Sequence, residues 1–211
     1  MGMGDDIAAV YATVGISYTI IRPGGNITGE FLDYEDQREV RPFFIEHFLR
    51  VSLQYNTQTR PGDLIVFADG RKYLVAHWQP DVFQGAIYAI NAVIYQTNVQ
   101  ISSYRPVATG TYDKTITWGS PINNSVDGLW VAKDVTAYGD SQKSPTQGLD
   151  YYSTNIYLPK SLDIIKHDRI SIVGYSKGYA AAGVLNFTVE QWDDATYPGL
   201  SIYYCSEDAR A

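Results

Sequence analysis

The residues best spaced for chemistry are Gly174-Tyr175-Ser176-Lys177-Gly178. They match G-x-S-x-G, in which a serine on a sharp strand-to-helix turn attacks a carbonyl; an apolar run precedes them and an alanine run follows. A serine nucleophile needs a base, and on that fold the acid and then the histidine follow the serine in the chain. Here His47, His77 and His167 all precede Ser176, and only 33 residues follow Gly178. The upstream strands also fail to alternate with helices as a parallel sheet requires. A glycine-flanked β-turn accounts for Tyr175 to Gly178 without a missing base, so hydrolysis through Ser176 ranks third among the readings.

Other constellations are weaker. Asp33, Glu35, Asp36 and Glu39, interleaved with Arg38 and Arg41, read as a solvated loop, since EF-hand spacing is absent. The three histidines lack zinc spacing, and His47 and His77, each within an apolar stretch, read as core histidines. Cys205 is the single cysteine, which rules out an intrachain disulfide and fits a reducing compartment or a protein that never relied on oxidation. There is no glycine-rich phosphate loop. The expectation is therefore no catalytic residue, no metal site, no cofactor and no enzymatic activity.

With 211 residues the chain has length for one large β domain or two small ones. Its 16 basic and 23 acidic side chains argue against a protein that holds nucleic acid by neutralising phosphates. The N-terminus MGMGDDIAAVYATVG has no basic region and no apolar core fit for a signal peptide. No run approaches the ~20 apolar residues that cross a bilayer, so no membrane partner is expected. Tyrosine stands out, 18 residues beside 7 Phe and 4 Trp, and suits both pleated sheets and wet interfaces.

The elements that must position these residues centre on Gly62 to Trp78. Leu64 to Phe67 and Tyr73 to Trp78 flank Asp69-Gly70, which predicts a β-hairpin with a type I′ turn. Residues 5–14 predict a short helix capped by Asp5 or Asp6, with Ile7, Val10, Tyr11 and Val14 on one face. Ile16 to Arg22 and Ile27 to Leu32 flank a Pro23-Gly24-Gly25-Asn26 turn and predict a second hairpin. In 43–55, six of seven odd positions are apolar against two of six even ones, which favours a strand; a helix presenting Phe44, Phe48, Val51 and Tyr55 is the alternative. A loop at 79–85 then precedes a strand from Ala86 to Tyr95. Short turns between such strands imply a rolled sheet.

The second half predicts strands near Thr115 to Trp118, Leu129 to Val135, Tyr151 to Leu158, Asp168 to Tyr175, Ala180 to Trp192 and Leu200 to Cys205. It echoes the first. Trp78 is followed at the same intervals by Phe83 and Gly85 as Trp192 is by Tyr197 and Gly199, and an acidic residue, Asp63 or Asp168, opens the strand before each. Chance and an internal duplication both remain open as sources of the echo. The expected fold is all-β and mainly antiparallel, two small barrels or sandwiches with a short N-terminal helix. The expected division is an N-terminal β domain at 1–104 and a second at 105–211, loop-rich at its start.

The stretch from Gly62 to Asn98, with Asp168 to Tyr179 and Trp192 to Tyr204, resembles the neck proteins of tailed bacteriophages, the head-closure, stopper and head-tail connector family. The likeness rests on Gly62, Asp63, Gly70, Tyr73 and Val75 of the hairpin and on the Tyr197 to Leu200 step, and it covers 16–104 and 160–205. The resemblance implies a structural virion protein at the head-tail interface, assembled in the host cytoplasm. As a homo-oligomeric ring it would join portal or adaptor to tail proteins and touch genomic DNA only as a passing polymer. Its length leaves stopper, adaptor, tail terminator and other neck rings open. Such a ring needs two dissimilar side surfaces, and its long loops, 33–42, 79–85 and 136–150, are expected to reach neighbours. The runner-up is a carbohydrate-binding or adhesin-like sandwich that stacks sugars on Trp78 or Trp192.

Overall fold

A computed structural model of the chain describes residues 2–34, 48–110, 115–132, 154–175, 183–208 and 210. The central hairpin joins β4 (Leu64–Phe67) to β5 (Lys72–Phe83). Its turn differs from the expected I′ form. Gly70 alone has positive φ, 85°, its N–H donates to the Phe67 carbonyl at 2.9 Å, and the Phe67 N–H donates to the Arg71 carbonyl at 2.9 Å. That is a three-residue loop ending in a glycine bulge, which needs one left-handed residue where I′ needs two. The I′ pattern occurs instead at Gln84 (φ 50°) and Gly85 (φ 82°), between β5 and β6 (Ala86–Gln96), in the segment 79–85 that the sequence reads as a loop. Gln79, Pro80, Asp81 and Val82 break the apolar alternation, and backbone pairing to β6 carries the strand through them.

The chain divides into two units. The first comprises Met1–Asn98, Leu158–Ser161 and Asp194–Ser201; the second comprises Val99–Tyr157, Leu162–Asp193 and Ile202–Ala211. In the first, β1 (Ile16–Ile21), β2 (Ile27–Tyr34), β3 (Phe48–Gln54), β6, β5 and β4 close into an antiparallel barrel in that order. Its interior is filled by residues that include Tyr18, Ile20, Leu32, Val51, Leu53, Ile65, Tyr73 and Ile94. β3 confirms the alternation that predicted it, with Val51 and Leu53 inward and Arg50 exposed; residues 43–47 lie outside the described part. β5 is buried on both faces, because Leu74 and Ala76 pack with Leu200 in a second cluster.

α1 (Met3–Val14) starts earlier than expected. Gly2 is its N-cap, and Asp5 sits three residues on, where its carboxylate accepts the Gly2 N–H at 2.9 Å and the Tyr55 hydroxyl at 2.6 Å. The expected apolar face is only half used. Ile7 and Tyr11 are partly buried, and Tyr11 donates to Ser52 Oγ at 2.7 Å, while Val10 and Val14 face solvent.

The second barrel, built mainly from the second unit, comprises β7 (Val99–Tyr104), β10 (Asn123–Ala132), β11 (Thr154–Pro159), β12 (Arg169–Tyr175), β13 (Gly183–Asp193) and β14 (Leu200–Glu207), closed in the order β10-β11-β14-β13-β12-β7. A separate ribbon pairs β8 (Pro106–Thr109) with β9 (Thr115–Trp118). The division expected at 104/105 falls at 98/99, because β7 belongs to the second barrel. VQISSY offers Val99, Ile101 and Tyr104 to an apolar count, out of alternation, and its buried residues include Ser102 and Ser103.

Numbered by order within each barrel, the two circuits are the same, and the match extends to register. Tyr18 faces Phe67 and Ile21 faces Leu64; Ile101 faces Ile172 and Tyr104 faces Arg169. The first hairpin of each barrel carries a bulge at the same place, with positive φ at Gly29 (83°) and Ser125 (53°). The fifth strands shift register between Val75 and His77 and between Val189 and Gln191, so Trp78 and Trp192 occupy one position. The rest of the echo is not equivalent. Phe83 ends β5 and Gly85 forms its turn, whereas Tyr197 and Gly199 lie in the connection between β13 and β14.

Candidate functional site

Asp63 and Asp168, the acidic residues opening the fourth strand of each barrel, are the anchors around which the described polar groups gather. Arg22 follows β1 and grips Asp63 with two bonds, Nε to Oδ1 at 2.8 Å and Nη2 to Oδ2 at 2.5 Å, while Nη2 also reaches the Gln58 carbonyl at 2.8 Å. Arg105 follows β7 and grips Asp168 the same way, at 3.2 and 3.1 Å, with Nη2 on the Asp163 carbonyl at 3.3 Å. Each aspartate also accepts the backbone N–H three residues before it, Arg60 at 2.7 Å and Ile165 at 3.0 Å. Both acids are thereby saturated, and a bidentate guanidinium pair fixes the angle between first and fourth strands.

The first unit adds a cavity beside its pair. About 360 Å³ in volume, it is lined by Arg22, Asp63, Arg60, Lys160 and Ser161, with Gly62 and Gly199 in its wall. Gly62 has φ 92°, and a Cβ there would stand 2.9 Å from the Gly199 carbonyl oxygen. A Cβ on Gly199 would overlap the Gly62 nitrogen. Two backbones approach here as only glycines allow.

Exposed apolar side chains include those of two ribbons, besides Met3, Val10 and Val14 of α1. At the β5–β6 tip Val82, Phe83 and Ile87 are 58%, 53% and 45% exposed, and Val82 pairs directly with Ile87. On the β8–β9 ribbon Val107 and Ile116 are exposed. That ribbon is held by Trp118, over whose ring Arg169 stacks at 3.6 Å and Arg210 at 4.9 Å. Both arginines bond Asp208, Arg169 Nε at 2.8 Å and Arg210 Nε at 2.8 Å. Burial works to raise the Asp208 carboxyl, but the bonds from Arg210 and Arg169 outweigh it and hold the acid well below the ordinary carboxylate range.

The residues weighed from sequence fall unevenly. Ser176, His47, Glu35, Asp36, Arg38, Glu39 and Arg41 lie outside the described residues, as do 35–42 and 136–150 among the expected contact loops. His77 is exposed, contrary to the core position expected, because the bulge between Val75 and His77 shifts the register of β5 and leaves that side chain in solvent. Asp33 is exposed and accepts the Tyr34 N–H at 2.9 Å. Among the described residues no group of three or more His, Cys, Asp or Glu is placed to hold a metal ion. Trp78 packs against the first barrel's core, and Trp192 is 40% exposed. The Arg22–Asp63 and Arg105–Asp168 pairs were missed; the signal was present, an arginine directly after the first strand of each half.

What fold and surface define is an all-β protein of two like six-stranded barrels, with an apolar hairpin tip and a basic cavity on the first. No protein-family profile, curated protein or solved structure matches the chain. Among the described residues no helix is long and apolar enough to cross a membrane.

Proposed function

We propose that the chain is a structural subunit of a ring-forming virion assembly, a neck component of the head-tail connector type. The observation that carries this reading is the β5–β6 tip, where Val82, Phe83 and Ile87 stand in solvent on a hydrogen-bonded ribbon. Leaving such a cluster exposed costs solubility unless a partner covers it. A closed barrel suits the role, since it presents faces and tips for mating and holds its own backbone groups internally. The net charge of −7 favours a passage that DNA crosses without sticking.

Mass photometry and negative-stain microscopy of the purified chain test the proposal. Closed rings of one stoichiometry are expected, dispersing to monomers in Phe83→Asp with unchanged circular dichroism. A strictly monomeric wild-type chain that is also absent from virions would sink it.

A further inference from the structure

The cavity of the first unit has more positive charge than its architecture uses. Asp63 is consumed by Arg22 and by the Arg60 N–H, so that acid and Arg22 form a neutral pair. Arg60 contributes only its backbone to this arrangement. Among the described residues its guanidinium meets no carboxylate, and Lys160 Nζ meets only the Asp194 carbonyl, at 2.8 Å. Two uncompensated cations and the Ser161 hydroxyl thus border one space of about 360 Å³ in a protein whose net charge is −7.

The second unit supplies an internal control. At the same turn Ile165 replaces Arg60, yet its N–H makes the same bond to the aspartate. Arg105 there meets a second carboxylate, Asp163 at 3.4 Å, so that site is neutralised within itself. The turn therefore works without an arginine at this position, and Arg60 is free for another purpose.

We propose that the cavity bordered by Arg60, Lys160 and Ser161, beside the Arg22–Asp63 pair, binds a phosphate group. A guanidinium fork, an ammonium and a hydroxyl supply donors of the kind that a tetrahedral oxyanion takes, and the volume sits at the small end of the ~300 to 1,000 Å³ range of ligand sites. The phosphate belongs either to a free small molecule or to the backbone of a DNA strand. This inference stands apart from the ring proposal, because it requires only the first unit.

The test is titration of the full chain, followed by calorimetry and by NMR of arginine side-chain N–H signals, with inorganic phosphate, thymidine monophosphate and a 12-nucleotide oligothymidylate. Saturable binding is expected, weakened at least ten-fold by Arg60→Gln and by Lys160→Gln and a few-fold by Ser161→Ala. Lys166→Gln, an exposed cation at the matching turn of the second unit, should leave it unchanged. Binding of inorganic phosphate and thymidine monophosphate at least as tight as that of the oligonucleotide identifies a free phosphate as the ligand. Binding of the oligonucleotide alone identifies the DNA backbone, with a salt slope that falls by about 0.7 per cation removed. Absence of saturable binding to every probe, binding indifferent to Arg60 and Lys160, or equal weakening by Lys166→Gln overturns the proposal.

Discussion

The two barrels share every hydrogen-bonded neighbour but not what fills them. Where the first has Tyr18 opposite Glu30, the second has Ile101 opposite Val126. Tyr18 bonds Thr59 Oγ1 at 2.7 Å, and Thr57 passes the chain on to Glu30 Oε2 at 2.6 Å, so the first barrel holds a polar network where the second is aliphatic. Ile94 is matched by Cys205, and the left-handed glycines 29 and 62 by Ser125 and His167, at φ 53° and 72°. What is common is the Arg–Asp pair and the bulge positions. These features set the circuit, and the interior adapts to it.

Deleting the common element should do the most damage. Asp168→Ala and Asp63→Ala each leave an arginine and a backbone N–H without their acceptor, and each should cost about 3 kcal/mol in urea denaturation. A large loss in one and none in the other would break the equivalence. In Asp168→Ala the buried Cys205 thiol should also be alkylated on the order of 100-fold faster, as opening of the second barrel becomes easier.

Interior substitutions sharpen the contrast. Ile94→Ala should cost about 3 kcal/mol, and Cys205→Ala roughly 1, nearer the loss of one methylene. Burial pushes the Tyr18 hydroxyl up to about 12, and this yields an alkaline limb specific to the first barrel. Below pH 10 the phenol is neutral in both states and its contribution is complete. Between pH 10 and about 12 only the unfolded chain ionises, so roughly 2 to 3 kcal/mol is lost. Tyr18→Phe should flatten that limb in pH-dependent denaturation. The left-handed pair splits by sign: Gly62→Ala should destabilise by about 2 kcal/mol, whereas His167→Gly, the smallest effect, should stabilise by roughly 0.5. Equal signs would show that the two turns carry different strain.

The strands that were legible carry apolar residues either at alternate positions, as β3 does, or as near-continuous runs, as β4 and β6 do. β7 was hidden because serines occupy buried sites, where Ser103 accepts Asn123 Nδ2 at 2.8 Å and so meets its burial cost with hydrogen bonds. The outer half of β5 was hidden because cross-strand pairing overrides the weak local preference of a segment containing Pro80. Of the cavity nothing was legible: Arg22, Arg60 and Lys160 are far apart in sequence and share no motif. The tryptophan echo was half sound, because a bulge fixed the position of Trp78 and Trp192 while the hairpins beyond differ in length.

Closure of both barrels leaves open flanks, among the described residues, on the β8–β9 ribbon and on the outer part of the β5–β6 ribbon, beyond the pairs Leu64–Leu74 and Gln54–Ala89. Stacking of chains by strand addition has its described footholds there, and Pro106, at the start of β8, and Pro80, within β5, each withhold one of the donors such growth needs. Among the described parts of the chain, side-chain surfaces are thereby favoured over backbone edges as places for self-association, and such contacts permit assemblies of finite size.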